Sequence, residues 1–324
     1  MRGPTIFYDS YWYCYANSTA MLLSSVGEQV SPRLIEALSA VGLGASIMPN
    51  SLAFFGELVP PDRGISQALG LLGFTCEEAA TETPDRAPFD HLEALLDEGP
   101  VVLGPLDMMY LTYNPMRPRQ AGVDHYVLAY GMTGDKIYLH DPAGFAHVFI
   151  DREQLGQAWK ADAISYRRGH YRYWAAPRPS GKLTLAETYD RAIGTFQRLY
   201  QHAEQRPETG DRLIGREALL ALADTVERGF LSDDQRGHLI YFALPLGVKR
   251  ALDYAAFFAA HHDLLRQLKQ DQAVEFGACL THLVASNLGD AGQTLRKLAE
   301  IEATIKKEIL QIRPAEGRDG PSSG

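Results

Sequence analysis

Apolar residues recur along this chain with two periods, and the change of period organises it. In the first half, Tyr15 to Val26 repeats at three and four residues, the spacing of one helical face. Gly27 then offers a left-handed stop. The same spacing predicts helices over Pro32 to Ala40, Ile65 to Leu72 and Phe89 to Asp97. From Pro100 onward the apolar runs become short and continuous. Pro100–Gly104, Tyr126–Tyr130, Lys136–His140 and Ala146–Ile150 predict four strands, with Tyr171–Ala175 closing the sheet. Helices first and an antiparallel sheet afterwards is an α+β arrangement.

The second half returns to the helical period and keeps it. Ala186, Tyr189, Ile193, Phe196 and Tyr200 line one face. Further helices are predicted at Arg216–Glu227, Asp234–Leu244, Val248–Leu268, Asp271–Ala285 and Ala291–Ile312, with Asp233 and Asp290 as caps or first-turn acids. Between the halves, Ala176-Pro177-Arg178-Pro179-Ser180-Gly181 reads as a linker. The predicted organisation is therefore a first domain over 1–176, a linker over 177–185, an all-helical domain over 186–312 and a disordered tail over 313–324.

Composition narrows the function classes. A chain of 324 residues suits two domains of roughly 150 residues each. The formal net charge is -9, which argues against a nucleic-acid partner. The acidity is uneven: residues 1–176 hold 12 basic and 20 acidic side chains, whereas residues 177–324 hold 19 and 20. Three cysteines make no disulfide framework and suit a reducing compartment. The run Leu239 to Val248 contains Pro245 and is too short to span a bilayer, and Asp9 interrupts any signal-like start. A cytoplasmic protein without membrane association is expected.

Two segments carry candidate chemistry. In Ser10-Tyr11-Trp12-Tyr13-Cys14-Tyr15-Ala16-Asn17, a cysteine sits where an aromatic loop turns into a helix. The unpaired N–H groups and positive end of a helix favour thiolate there, and can also steady an oxyanion. The plainer reading is a small buried hydrophobe. The second segment runs from Asp124-His125 through a Thr133-Gly134-Asp135 turn to Asp141-Pro142 and reads as a β-hairpin. An odd loop centred on Gly134 pairs Val127 with Asp141 and brings His125 and Asp141 to one face as diagonal neighbours. An even loop without a bulge separates them. A carboxylate beside an imidazole fixes its tautomer, as a Cys–His pair requires. The plainer reading is a core histidine, with Asp141 capping a turn.

A cysteine at a helix start, a strand histidine over a hundred residues later and an aspartate on the next strand follow the chain order of papain-like thiol enzymes. In these residues the sequence resembles the butirosin biosynthesis protein H family, whose N-terminal domain is related to papain-like peptidases of the bacteriocin-processing (C39) type. The likeness lies in Cys14-Tyr15-Ala16-Asn17 with Ala20 and Gly27, in Gly99 to Gly104, in Tyr110 to Tyr113, in Asp124 to Leu128 with Gly131, and in Tyr138 to Pro142. Gly215 to Leu219 matches the helical region that follows in that family more weakly. The resemblance implies a papain-like fold and a site in which Cys14 is the nucleophile, His125 the base and acid, and Asp141 the orienting group. It implies acyl transfer from a carrier-protein thioester, whose phosphopantetheine arm enters as substrate, to a small-molecule acceptor. No resident cofactor and no metal are implied. Hydrolysis, as a peptidase or thioesterase, and a non-catalytic binding module are the competing readings.

One departure concerns the oxyanion. Papain-like enzymes place a glutamine five or six residues before the cysteine, where this chain has Asp9 and Tyr8. Tyr8 or Ser10 can donate instead, and Asn17, nearly one turn beyond Cys14, can line the same cleft. His261-His262-Asp263 lacks metal-ligand spacing because consecutive helical residues face apart. Cys76 and Cys279 read as buried thiols, and Asp124 faces away from His125 in a strand.

Overall fold

The computed structural model describes residues 6–9, 12–47, 52–56, 58–181, 183–205 and 212–313, without the side chains of 204 and 205. The chain divides into two compact units, one formed by Met1–Ser39 and Pro60–Lys182, the other by Ala40–Val59 and Leu183–Gly324. The predicted boundaries change accordingly. Residues 40–59 belong with the helical half, and the Pro-containing segment 177–179 is strand rather than linker. The predicted tail lies outside the described residues beyond Arg313.

In the first unit, α1 (Cys14–Ser24) and α2 (Pro32–Ser39) come first. The chain then visits the second unit, with the two-residue strand β1 (Ser46–Ile47), and returns with α3 (Pro61–Leu71). Next come β2 (Phe74–Thr81), α4 (Phe89–Glu98), β3 (Val101–Asp107), β4 (Asp124–Thr133), β5 (Lys136–Asp141) and β6 (Phe145–Asp151). Helix α5 (Arg152–Lys160) and strand β7 (His170–Pro179) complete it. Strand β2 and helix α5 were not legible in the sequence. β2 reads Phe-Thr-Cys-Glu-Glu-Ala-Ala-Thr, too polar to stand out, because it is an edge strand.

The six strands form one antiparallel sheet in the order β2-β7-β3-β4-β5-β6. β7 does not close the sheet but lies between β2 and β3. One core joins alternate strand residues Val101, Leu103, Val127, Ala129, Ile137 and Leu139 to Leu92 and Leu95 of α4 and to Leu155 and Trp159 of α5. Helix α1 packs along β4, where the Ser18 hydroxyl donates to the Tyr126 carbonyl at 3.2 Å and Tyr15 meets Tyr126 edge-on. The two buried helix–sheet contacts fix the height of α1, and so of Cys14, relative to β4.

The second unit is almost wholly helical. It holds α6 (Leu185–Gln205), β8 (Leu213–Ile214), α7 (Gly215–Glu227), α8 (Asp233–His238), a wide π turn at Leu239–Ala243, α9 (Leu244–Phe258), α10 (Asp263–Val284) and α11 (Leu288–Gln311). β8 pairs with β1, which ties residues 40–59 into this unit. Asp233 is a first-turn acid of α8, which Ser232 caps through a capping box with Gln235, and one predicted helix is split. The predicted helix over Val248–Leu268 breaks after Phe258, because the His262 ring accepts from the Leu265 amide at 3.2 Å and starts α10. No helix among the described residues is long and apolar enough to cross a membrane.

Candidate active site

The site begins at the first residue of α1. Tyr13, at the N-cap, offers no side-chain oxygen to the helix, and the first helical bond is Asn17 N–H to the Tyr13 carbonyl at 2.8 Å. The amides of Cys14, Tyr15 and Ala16 therefore precede the ladder, as an anion site at a helix start requires. Cys14 is partly exposed and Cys279 is buried as expected, whereas Cys76, expected buried, is also partly exposed on the edge strand β2.

His125 and Asp141 stand at the same end of the sheet, on neighbouring antiparallel strands. The register runs Thr133↔Lys136, Met132↔Ile137, Gly131↔Tyr138, then shifts and continues Ala129↔Leu139, Leu128↔His140. One further step sets Val127 opposite Asp141, with His125 diagonal to it. The expected pairing is thus present, but the route differs. The turn has two residues, Gly134 and Asp135, with Gly134 at φ +59°, and the unpaired Tyr130 forms a bulge that restores the parity an even turn removes.

The outcome is a bond of 2.6 Å between His125 Nε2 and Asp141 Oδ1. Cys14 lies near enough to His125 to bear on the charge of its ring. Nε2 is the nitrogen committed to the carboxylate. His125 is 3% exposed and Asp141 fully buried. Burial opposes the charged imidazole, but the Asp141 charge and the Cys14 sulfur outweigh it and hold the His125 pKa well above the usual histidine value. Burial likewise opposes the Asp141 charge, and the facing His125 outweighs it and keeps that carboxyl below its ordinary range. Asp141 also performs the plainer role. Its Oδ1 accepts the Ala143 amide at 2.7 Å and so caps the turn after β5.

Neighbouring histidine and cysteine side chains mark the contrast. His140, next to Asp141 on the other face, stacks on Tyr130 with ring centroids 4.5 Å apart, and burial pushes its pKa down to about 4. It stays neutral and faces no carboxylate. Burial pushes the Cys76 and Cys279 thiols up to about 12, so both remain protonated. Cys14 is the cysteine with an imidazole beside it.

Sequence reasoning missed Tyr113. Its hydroxyl donates to Asp141 Oδ2 at 2.8 Å, from the loop between β3 and β4. A lone tyrosine in a 16-residue loop carries no spacing signal, so only the resemblance touched it. Asn17 is buried, and its side-chain amide donates to the Tyr13 carbonyl at 2.8 Å. Tyr8 is half-buried and Asp9 exposed, while Ser10 lies outside the described residues. Asp124 turns away from His125 as expected, and its Oδ2 accepts from Tyr166 at 2.7 Å. Among the described residues no three metal-ligating side chains cluster. His262 is a helix cap and His261 stacks on Tyr189 at 4.1 Å.

A cysteine at the start of a helix lying on an antiparallel sheet, with strand histidine and aspartate at its end, places the three residue types of a Cys–His–Asp triad at one end of the sheet. Family models match the chain twice: butirosin biosynthesis protein H, N-terminal, over residues 13–142, and the YobF C-terminal domain over residues 209–310. Among curated proteins, the chain is 42% identical over 300 residues to the YobF protein of Bacillus subtilis (strain 168), covering 93% of this chain and 96% of that protein. Among solved structures, it is similar to a C39-like peptidase from Bacillus anthracis, at 15% identity and a TM-score of 0.35, over 54% of this chain and 95% of that one. The chain therefore belongs to the family of YobF, with an N-terminal region that matches the butirosin biosynthesis protein H model and a YobF-type C-terminal domain.

Proposed function

We propose that this protein is a cysteine-dependent acyltransferase of natural-product biosynthesis, antibiotic formation included. The reading rests above all on the buried His125–Asp141 bond of 2.6 Å with Cys14 beside the imidazole. The match to the butirosin biosynthesis protein H model adds the natural-product context.

Two steps follow from this geometry. Cys14 sulfur attacks the carbonyl of an acyl or aminoacyl thioester held on an acyl or peptidyl carrier protein. The amides at the start of α1 hold the oxyanion. As the tetrahedral intermediate collapses, the carbonyl–sulfur bond to the carrier breaks and His125 returns a proton to the leaving thiolate. His125 then takes a proton from an amine, hydroxyl or internal carbon acid, which attacks the Cys14 thioester and frees the thiol. Exchange of one thioester for another is nearly balanced, so a carrier-bound donor suits a cysteine nucleophile. Exclusion of water decides between transfer and hydrolysis. The second unit, about half of the chain, is a large addition for a simple hydrolase.

The test uses a small acyl thioester and intact mass. Wild-type protein gains one acyl group on Cys14, and Cys14→Ala gains none. Added amine then discharges the adduct faster than water does. Discharge at the same rate with and without amine favours a thioesterase, and no adduct on the wild type removes the acyl-transfer reading.

A further inference from the structure

We propose that Tyr113 is a positioning residue of this site: its hydroxyl holds the second oxygen of Asp141 and sets the acid limit at which the Asp141–His125 pair fails. The inference rests on the Cys14–His125–Asp141 reading and not on acyl transfer.

The donors around Asp141 are few and directed. Oδ1 accepts from His125 Nε2 at 2.6 Å and from the Ala143 amide at 2.7 Å. Oδ2 accepts from the Tyr113 hydroxyl at 2.8 Å. Two donors on one oxygen still leave the carboxylate able to swing about its own axis. A third donor on the other oxygen stops that rotation and fixes the direction in which Oδ1 faces the ring. The groups facing Asp141 are His125 from β4, Tyr113 from the β3–β4 loop and the Ala143 amide beyond β5. A tyrosine hydroxyl donates its proton to an ionised carboxylate and disfavours the neutral acid. Burial and the Asp141 charge keep Tyr113 protonated, so the donor persists across the working pH range.

The loop is built to hold that hydroxyl still. Leu111, two residues earlier, is fully buried in the sheet core. Asn114, the next residue, is 4% exposed and ties the loop to itself: its amide donates to the Leu111 carbonyl at 2.9 Å, and its side chain accepts the Met116 amide at 2.9 Å. Tyr113 is clamped between two anchors. Its ring packs edge-on to Phe145, 5.8 Å away, which pairs with Asp141 across β5 and β6. Phenylalanine fits the same wall but lacks the donor.

The experiment follows Cys14 alkylation by iodoacetamide against pH, by intact mass, in the full-length protein. Tyr113→Phe shifts the acid limb of that profile upward by about one pH unit, as the loss of one of three donors to a carboxylate demands. Incorporation of 3-fluorotyrosine at position 113, a stronger donor on the same ring, shifts it downward. This second variant serves if Tyr113→Phe does not fold. The 13C signal of the Asp141 carboxyl moves with the limb in each case. An acid limb that stays in place in the folded variants, whatever happens to the plateau rate, overturns the proposal and leaves Tyr113 as packing. Because alkylation needs no acyl donor, a protein that alkylates with this profile yet forms no thioester adduct fails the acyl-transfer reading alone.

Discussion

Each unit buries charged side chains, and the two do it differently. In the first, His125 and Asp141 are buried, but the group they serve, Cys14, is partly open to solvent. They stand at a strand start, a strand end and a helix start, where backbone geometry leaves directions unfilled. In the second, Lys269 of α10 is 1% exposed and Glu302 of α11 is 2% exposed. Lys269 Nζ donates to Gln272 at 2.9 Å, Gln272 donates to Glu302 at 3.1 Å, and Tyr200 of α6 donates to the other Glu302 oxygen at 3.0 Å. That network sits in helix interiors and ends on itself, whereas the first ends beside the partly exposed sulfur of Cys14. Burial of charge alone does not mark a site; a reachable reactive atom at its end does.

Mutations can break this contrast, and the largest effect belongs to Cys14. Cys14→Ala abolishes rapid iodoacetamide labelling, since Cys76 and Cys279 hold protonated thiols with values near 12. Equal labelling of all three in the wild type contradicts an activated Cys14.

Next comes the partner of the imidazole. Asp141→Ala leaves His125 buried without its counter-charge, which costs about 3–5 kcal/mol by the usual cost of orphaning a buried ion. Denaturant titration measures the loss, and Cys14 alkylation falls with it. In the helical unit, Glu302→Ala carries a similar stability cost but leaves the Cys14 alkylation rate in the folded protein unchanged. A drop in that rate would mean that the two networks are coupled. The double change Lys269→Met with Glu302→Met costs less than Glu302→Ala alone, because it removes charge from both ends of the network.

The smallest effect is the pH dependence of stability. The raised pKa of His125 makes its contribution complete below the ordinary histidine value, and that contribution is lost as pH rises through the raised one. Asp141 works in the opposite sense: its contribution is present above about 3.9 and lost as pH falls through the lowered value. Thermal melts across pH should therefore show a plateau that falls away on its alkaline side, and His125→Ala lowers the plateau and flattens that fall. An unchanged alkaline slope in that variant counts against the His125–Asp141 coupling.

Much of the site was legible because its parts are local. A cysteine before a helical repeat, and a His and an Asp flanking a Gly turn, are short-range patterns. What the sequence left open was parity. The two-residue turn at Gly134 would have parted His125 from Asp141, and one extra residue at Tyr130 rejoined them. A bulge has no composition of its own, so the sheet alone reveals it. Tyr113 was hidden for a related reason: its contact to Asp141 spans 28 residues and depends on how the β3–β4 loop folds back.

The same division holds for the whole chain. Apolar period and stop signals, which act within a few residues, determined that the first half holds both helices and strands, that the second is helical, and that Cys14 begins a helix. Tertiary structure decided that β7 runs through the Pro-containing segment into the sheet interior, and that residues 40–59 leave the first unit to pair β1 with β8. It also decided that Nε2 of His125 faces Asp141. These are choices among distant segments that local preference ranks equally, and burial together with hydrogen bonding selects one of them.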